Sequence, residues 1–184
     1  MNYELAGRSV RLAGPDREVL AACAEHLIAE GAHVLDVEGG EPDIVIVAGA
    51  RRAGSRLLGD TSAADLYAAW DDAVDAVDCY RAAAQPMTSR GWGRMVWIGN
   101  AQAKSVDAAE DEFAAVVSLG ILGLHKVIAQ ELGRGGVTAN AVLRGGEAND
   151  DDVATAAVFL CSAGASYLSG ITIVIDGGVG SAVF

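Results

Sequence analysis

Residues 9–31 read SVRLAGPDREVLAACAEHLIAEG. The first five form a short run rich in aliphatic side chains. The stretch from Asp16 to Glu30 has helical spacing and is followed by Gly31, the residue type favoured just past a helix end. A strand, a glycine turn and a helix in this order predict the first unit of a parallel sheet with helical crossovers.

The same alternation of strand and helix patterns continues to the end of the chain. Pro86 is expected to end the second helix, because proline disfavours helical backbone in the residue before it. The pattern predicts an α/β fold with a doubly wound, mainly parallel sheet of about six strands in one domain, residues 1–184. Besides 9–13, the predicted strands are 32–37, 43–48, 94–99, 137–142 and 172–175, and the later helices are 63–84, 108–132 and 151–161.

One connection does not fit the simple scheme. Residues 38–42 read EGGEP, and a parallel crossover normally needs about a dozen residues or more. Either the chain returns in an extended crossing beside a shortened strand, or Gly39 and Gly40 make a hairpin and one strand is antiparallel. We favour the extended return.

Composition excludes several classes of function. The 184 residues carry a net charge of -12, with 13 Lys and Arg against 25 Asp and Glu, which disfavours nucleic-acid and anionic-membrane surfaces. The first residues show no signal-peptide pattern, and charged or small residues interrupt the apolar runs before the roughly 20 residues that a membrane span needs. We therefore expect a soluble, cytoplasmic protein in which Cys23, Cys79 and Cys161 are buried thiols.

The C-terminal half carries motifs of a known family. It contains GRMVWIGN at 93–100, VTANAV at 137–142, VFLCS at 158–162, ASYLSG at 165–170 and VIDGG at 174–178. In this order, these motifs resemble the short-chain dehydrogenase/reductase family, which implies a Rossmann-like fold. Against that pattern, the chain lacks the family's third strand. It also lacks the long substrate loop, because Arg144 and Gly145 are followed almost directly by Asp150.

The resemblance also implies where a nicotinamide cofactor would bind. Members of the family carry a TGxxxGxG turn, whose glycines let the backbone approach the cofactor pyrophosphate. Here only Gly14 remains, with Glu18 and Leu20 at the other two glycine positions. Asp16 and Glu18 add carboxylates where the phosphates would lie. Although Glu38 matches the acid that holds a ribose, an ordinary loop charge is favoured, so we expect no cofactor and no cofactor-binding residue.

The catalytic positions of the family are changed as well. The resemblance implies a tyrosine acid, a lysine four residues later and a serine that polarises the carbonyl group. Those positions are Ala114, Ser118 and Asn100 in this chain. Because alanine transfers no proton and serine carries no charge that would tune one, we expect no catalytic residue.

Other clusters favour structural roles. His26, His33 and His125 lie in unrelated segments, so no metal site is expected. A row of carboxylates at Asp71, Asp72, Asp75 and Asp78 is interpreted as a solvated helix face rather than a cation site. Packing is the expected role of Trp70, Trp92 and Trp97. The basic group Arg51, Arg52 and Arg56 is expected in a solvated loop, with an acidic partner or ligand as the alternative.

Residues 113–124 read FAAVVSLGILGL and are apolar nearly all round, so a helix here must be covered on both faces. In the family this helix and the preceding one form a four-helix bundle across a dimer axis, and the last strand forms a second contact. The alternative is a helix that is simply well buried within its own chain. The predicted interface residues are Phe113, Val116, Val117, Gly120, Ile121, Gly123, Leu124, Ile173 and Ile175.

These expectations lead to three hypotheses of function. We favour a non-catalytic subunit that assembles with a catalytically active member of the family in an NAD(P)-dependent alcohol dehydrogenase or ketone reductase complex. The second hypothesis is a divergent reductase that works alone. The third is a homodimeric ligand-binding or scaffold module.

Overall fold

The computed structural model describes residues 3–36, 39–51, 62–104, 112–145 and 148–178. Within them lie six strands and four α-helices. The strands are β1 (Ser9–Ala13), β2 (His33–Val34), β3 (Ile44–Ala48), β4 (Gly93–Asn100), β5 (Val137–Arg144) and β6 (Thr172–Ile175). The helices are α1 (Arg17–Ala29), α2 (Ala63–Arg90), α3 (Glu112–Leu132) and α4 (Asp150–Cys161).

The six strands form one sheet in the order β2-β1-β3-β4-β5-β6, and every neighbouring pair is parallel. Helices α1 and α4 cover one face of the sheet, and α2 and α3 cover the other. Alternate residues of each strand point to opposite faces, so Val96 of β4 packs beneath α1 and α4 while Trp97 packs beneath α2 and α3. The predicted doubly wound α/β fold is confirmed.

Strands β2 and β3, on either side of the short connection, both run parallel to β1. Strand β2 pairs with β1 only as far as Val34 beside Val10, and β3 begins with Ile44 beside the same Val10. In the described part of the connection, Arg11 donates to the carbonyl of Gly39 at 2.9 Å. A parallel return beside a shortened strand is confirmed, and the alternative of an antiparallel hairpin is wrong.

Helix α2 continues past Pro86 to Arg90, so the predicted end of this helix is wrong. A proline inside a helix removes one hydrogen bond and costs about 3 kcal/mol. Two contacts of the last turn offset this cost. Met87 is fully buried, and Arg90 forms ion pairs with Glu41 at 2.9 Å and with Asp43 at 3.3 Å.

Helix α3 and the 3-10 turn that follows it, Gly133–Gly135, include a stretch, Val116–Gly135, that could cross a membrane by length and composition alone. The sequence analysis expected no such run. In the structure the helix packs against β4 and β5 and buries Ile121 and His125 at 2% exposure. About 28% of the stretch is buried inside the chain.

Candidate functional site

Four charged side chains meet at the carboxyl edge of the sheet. Asp16 lies between β1 and α1, Arg51 follows β3, Arg144 ends β5, and Asp150 begins α4. The carboxyl ends of parallel strands share one edge, and this edge is where ligands bind in doubly wound folds. We call these four residues the charged cluster.

Ion pairs connect all four members of the charged cluster. Arg144 donates to Asp16 Oδ2 at 3.2 Å and also to Asp150. Arg51 donates to Asp16 Oδ2 at 3.4 Å and to Asp150, and it lies 3.3 Å from Glu18 Oε2. The side chains of Asp16 and Arg144 are only 8% and 14% exposed, whereas that of Arg51 is 45% exposed. The Asp16–Arg144 pair is therefore the buried centre of the cluster.

Electrostatics favour the charged form of Arg51 in this cluster. Asp16 is the N-cap of α1 and accepts a hydrogen bond from the Val19 amide at 3.4 Å, so its carboxylate lies at the positive end of the helix dipole. Burial opposes the charged form of Arg51, but the carboxylates of Asp16 and Asp150 outweigh this effect and raise its pKa.

Gly14, the remaining glycine of the family turn, has a packing role. Its φ of +113° is unfavourable for other residues, and a Cβ there would lie 2.0 Å from the carbonyl oxygen of Ala48. Leu20, at another of the family's glycine positions, is buried in the core at 4% exposure. The turn is thus packed against β3 and the core.

The crevice beside this turn, where the described residues line it, has a cavity volume of about 30 Å³. The lining includes Asp16, Arg51, Asn100 and Arg144. The residues present therefore do not fit a nicotinamide dinucleotide: carboxylates and ion-paired arginines occupy the positions where its phosphates would need backbone donors.

Asn100 and Ser118, at the family's serine and lysine positions, form hydrogen bonds at the end of β4. The Ser118 hydroxyl, at the lysine position, accepts a hydrogen bond from the Asn100 amide at 3.3 Å. The Asn100 side chain accepts one from the Gln102 amide at 3.0 Å and caps a short 3-10 helix. The side chain of Ala114, at the tyrosine position, lies outside the described residues.

Trp97 fills the space next to these two residues. A Cβ at Gly49 or Gly99 would lie 2.6 Å or 2.3 Å from its indole, so the ring packs closely against both glycines. The sequence analysis predicted a packing role for Trp97, and the ring is 1% exposed. Trp70 likewise packs on Gly120.

The three histidines lie apart. His26 forms an ion pair or hydrogen bond with Asp151 at 2.6 Å, and His33 is exposed. His125 is buried with its ring edge-on to Tyr80, and burial lowers its pKa to about 4. Within the described ranges, no group of three or more His, Cys, Asp or Glu side chains is placed to hold a metal ion.

The cysteines are free thiols, and Cys23 and Cys161 are buried while Cys79 is partly exposed. Burial raises the pKa of Cys23 to about 12 and also raises that of Cys161. Arg51 lies outside the helices and strands and is exposed, as predicted, and it also contacts the acidic residues of the charged cluster. Arg52, Arg56 and Glu38 lie outside the described residues.

The predicted interface residues differ in their exposure within this chain. Val117 and Ile121 are 6% and 2% exposed and pack inward against the sheet. Gly120 contacts Trp70 of its own chain. Val116 is exposed, and a Cβ at Gly123 would meet nothing within 4 Å.

The remaining predicted interface residues are partly buried or undescribed. Leu124 lines a cavity of about 230 Å³ between α2 and α3. Ile173 and Ile175 pack partly against the core beneath α1 and α4. The side chain of Phe113 lies outside the described residues.

Large exposed apolar side chains on α2 and α3 were not all predicted. Exposure ranges from 40% at Val77 to 72% at Tyr67. The helical repeat alone could have indicated them, because they lie opposite the buried positions of each helix. We call these residues the apolar stripe: Tyr67, Val74 and Val77 on α2, and Val116, Leu119 and Val127 on α3.

Comparison with known proteins gives relatives by sequence. No family model matches the chain. It is 27% identical over 124 residues to the 3-oxoacyl-[acyl-carrier-protein] reductase FabG of Pseudomonas aeruginosa, covering 54% of this chain and 50% of that protein. It is 31% identical over 123 residues to the reductase MabA of Mycobacterium tuberculosis, covering 53% and 49%. The chain thus matches about half the length of these relatives.

Solved structures match the fold over nearly the whole chain. A short chain dehydrogenase/reductase family protein superposes with a TM-score of 0.85 at 21% identity, covering 95% of this chain and 98% of that one. A gluconate 5-dehydrogenase from Burkholderia cenocepacia, solved in complex with NADP and tartrate, gives 0.80 at 19% identity, covering 96% of both chains. Together, the fold and the sequence relatives confirm the resemblance to the short-chain dehydrogenase/reductase family.

Proposed function

We propose that this chain is a non-catalytic subunit that assembles with a catalytically active short-chain dehydrogenase/reductase and has a structural or regulatory role. The observation that carries the proposal is the charged cluster. It places ion-paired side chains of this chain at the edge of the sheet where the family holds its cofactor, which supports the proposal.

Opening this edge for a dinucleotide would be costly. A pyrophosphate at the start of α1 would have to displace the Asp16 carboxylate, which is 8% exposed and paired with Arg144. Removing one partner from a buried ion pair costs about 3–5 kcal/mol, because it leaves an uncompensated charge. Glu18, at the next glycine position, would add repulsion between its carboxylate and the phosphates.

The chemistry of proton transfer is also missing from the described positions. Ser118 and Asn100 are engaged with the backbone at the end of β4, where they stabilise a turn. Neither side chain supplies an acid with a pKa near neutrality. A catalytically active partner would therefore supply both the NAD(P) and the tyrosine and lysine pair.

The apolar stripe supports assembly. Six large apolar side chains on two adjacent helices are 40% to 72% exposed. Large exposed apolar side chains grouped on neighbouring helices favour a protein-protein interface. Its place on α2 and α3 matches the helices that form the dimer bundle in the family. A cytoplasmic location and the alcohol or ketone substrate of the complex remain predictions.

The first test measures cofactor binding by calorimetry. NADH and NADPH are titrated into the purified chain, with P. aeruginosa FabG as the positive control. We expect no binding heat for this chain. Binding at micromolar concentrations would contradict the proposal and support a divergent reductase that works alone.

The second test is a pulldown from the native source with the chain as bait. Mass spectrometry should identify a homologous subunit whose sequence contains TGxxxGxG and YxxxK. A Leu119→Lys, Val127→Lys bait should lose this subunit, because both positions lie in the apolar stripe. A stable self-dimer that captures no such subunit would support a homodimeric binding or scaffold module instead.

A further inference from the structure

Two arginines contact the indole of Trp92 at the amino edge of the sheet, opposite the edge that holds the charged cluster. Arg8 directly precedes β1, Trp92 directly precedes β4, and Arg94 is the second residue of β4. The guanidinium carbons of Arg8 and Arg94 lie 3.8 Å and 4.4 Å from the centroid of the Trp92 ring. Trp92 also packs partly against the core beneath α1 and α4, as its predicted packing role requires. We call these three residues the arginine-tryptophan stack.

Arg94 is a buried cation without a carboxylate partner. The residue is 3% exposed, and among the residues that the structure describes no Asp or Glu forms an ion pair with it. Its Nη1 donates to the Gly93 carbonyl at 2.9 Å, whereas its Nε is buried and has no hydrogen-bond partner. Buried charges are normally paired or fully hydrogen-bonded, because desolvation is otherwise costly. Arg94 therefore keeps a charge and an N–H donor that its surroundings do not satisfy.

The Trp92 ring compensates for this charge only in part. An aromatic face attracts a cation, but it does not replace the oxygen acceptors that the N–H groups of a guanidinium need. Burial lowers the pKa of Arg94, and the nearby cation of Arg8 acts in the same direction. An anion beside the two guanidinium groups would remove the repulsion between them and supply the missing acceptor.

The ion pairs around the arginine-tryptophan stack do not extend to Arg94. Asp43 lies 3.9 Å from Arg8 and 3.3 Å from Arg90, and Arg90 also pairs with Glu41 at 2.9 Å. These two arginines and two carboxylates balance one another. Arg94 is left as an excess positive charge beside them, although the chain as a whole has a net charge of -12.

We propose that the arginine-tryptophan stack binds a small oxyanion, either a phosphate or a carboxylate group. Arg94 donates to the anion, since a guanidinium forms strong charge-assisted hydrogen bonds with both groups. Arg8 attracts the anion from the solvent side, because its side chain is 35% exposed. The inference does not rest on the proposed function, because this site and the charged cluster lie at opposite edges of the sheet.

Titration with inorganic phosphate and with acetate tests the site in the full chain. Each sodium salt is compared with sodium chloride at the same ionic strength. Heteronuclear NMR follows the indole N–H signal of Trp92, which is assigned with the variant Trp92→Phe. We expect a saturable shift of this signal with phosphate, acetate or both, beyond the shift that chloride causes. The anion that binds more tightly identifies the ligand group as a phosphate or as a carboxylate.

Three variants identify the residues that bind the anion. Arg94→Met should weaken binding at least about tenfold, because it removes the charge-assisted donors. It should fold, since methionine leaves no unpaired charge in the core. Arg8→Gln should also weaken binding, and it tests the site independently at a more exposed position. The matched control is Arg81→Gln, which removes the same charge from a side chain of α2 that is 79% exposed and should leave binding unchanged.

Two results would overturn the inference. One is a Trp92 signal that moves no further with phosphate or acetate than with chloride at matched ionic strength. The other is equal affinity in the wild type and in Arg8→Gln or Arg94→Met, because the response would then come from the net charge of the chain and not from the arginine-tryptophan stack.

Discussion

The guanidinium of Arg144 lies 3.2 Å from the carboxylate of Asp16, and this contact joins the end of β5 to the start of α1 across 128 positions of sequence. Arg51 contacts the same carboxylate but is 45% exposed, against 14% for Arg144. The two arginines thus form a matched pair that differs in burial. Their energetic contributions should differ accordingly.

We predict that Arg144→Met lowers the free energy of unfolding by about 3 kcal/mol, because it leaves buried carboxylates with one fewer cation. Arg51→Met should cost less than about 1 kcal/mol, since water screens an exposed ion pair. Urea denaturation of both variants measures the difference. Equal losses in the free energy of unfolding would show that burial does not strengthen the contribution of the Asp16–Arg144 pair to stability.

The packing of Gly14 gives a second prediction. Gly14→Ala should lower the free energy of unfolding by about 3 kcal/mol or more, because the new Cβ would lie 2.0 Å from a carbonyl oxygen of β3 and the φ is +113°. The control is Gly91→Ala at the end of α2. Its φ of +67° is also positive, but nothing lies within 4 Å of the new Cβ, so about 1–2 kcal/mol is expected.

Both glycine variants are compared by urea denaturation without nucleotide. A large cost at Gly14 under these conditions would mean that packing against β3 alone explains this glycine. A cost at Gly14 no greater than at Gly91 would contradict the packing role that we assign to it.

Local patterns predicted much of the fold. The bounds of β1 and β6 agree with the prediction, because an aliphatic run flanked by turn residues is a local signal. Strand β2 is shorter than predicted, since its length depends on where β1 and β3 begin. The end of α2 was wrong because burial of Met87 and the ion pairs of Arg90 outweigh a local rule about Pro86.

The sequence predicted which functional residues of the family are absent from the site, but it did not predict the charged cluster. The loss of the family's functional residues could be read from single positions such as Glu18 and Ser118. The charged cluster could not, because Arg51 and Arg144 meet Asp16 only after the strand order brings the ends of β1, β3 and β5 together. The signal available in the sequence was the presence of opposite charges at or just after the ends of the predicted strands 9–13, 43–48 and 137–142.

The third prediction compares the inner and outer faces of helix α3. The apolar residues all round this helix did not show from sequence which face is buried. Ile121→Ala should cost about 2–5 kcal/mol, since its side chain is 2% exposed and its loss leaves a cavity. Leu119→Ser should change the free energy of unfolding by no more than about 0.5 kcal/mol, since Leu119 is 60% exposed. Thermal and urea denaturation check both values.

The contrast between these two variants also tests whether the exposed side of α3 contacts the partner. Leu119→Ser should weaken capture of the partner in the pulldown while leaving stability unchanged. A large loss of stability at Leu119 would instead indicate that this part of α3 is covered within its own chain.

The last prediction concerns pH and His125. This side chain is buried at 2% exposure, its Nδ1–H donates to the Ile121 carbonyl at 3.0 Å, and burial lowers its pKa from the ordinary 6.5 to about 4. Between these two values the unfolded chain binds a proton that the folded chain does not. Stability from this group is therefore complete above pH 6.5 and is lost as the pH falls toward 4.

Between about pH 7.5 and about pH 5.5, the shift predicts a loss of about 1.3 kcal/mol in the free energy of unfolding. This interval also stays above the isoelectric point near 4.5. His125→Met keeps the site apolar and should remove that part of the pH dependence, whereas His33→Gln, at an exposed position, should not. Urea denaturation at the two pH values measures the difference between each variant and the wild type. If His125→Met and the wild type lose the same stability over this interval, burial does not lower the pKa of His125 as we expect.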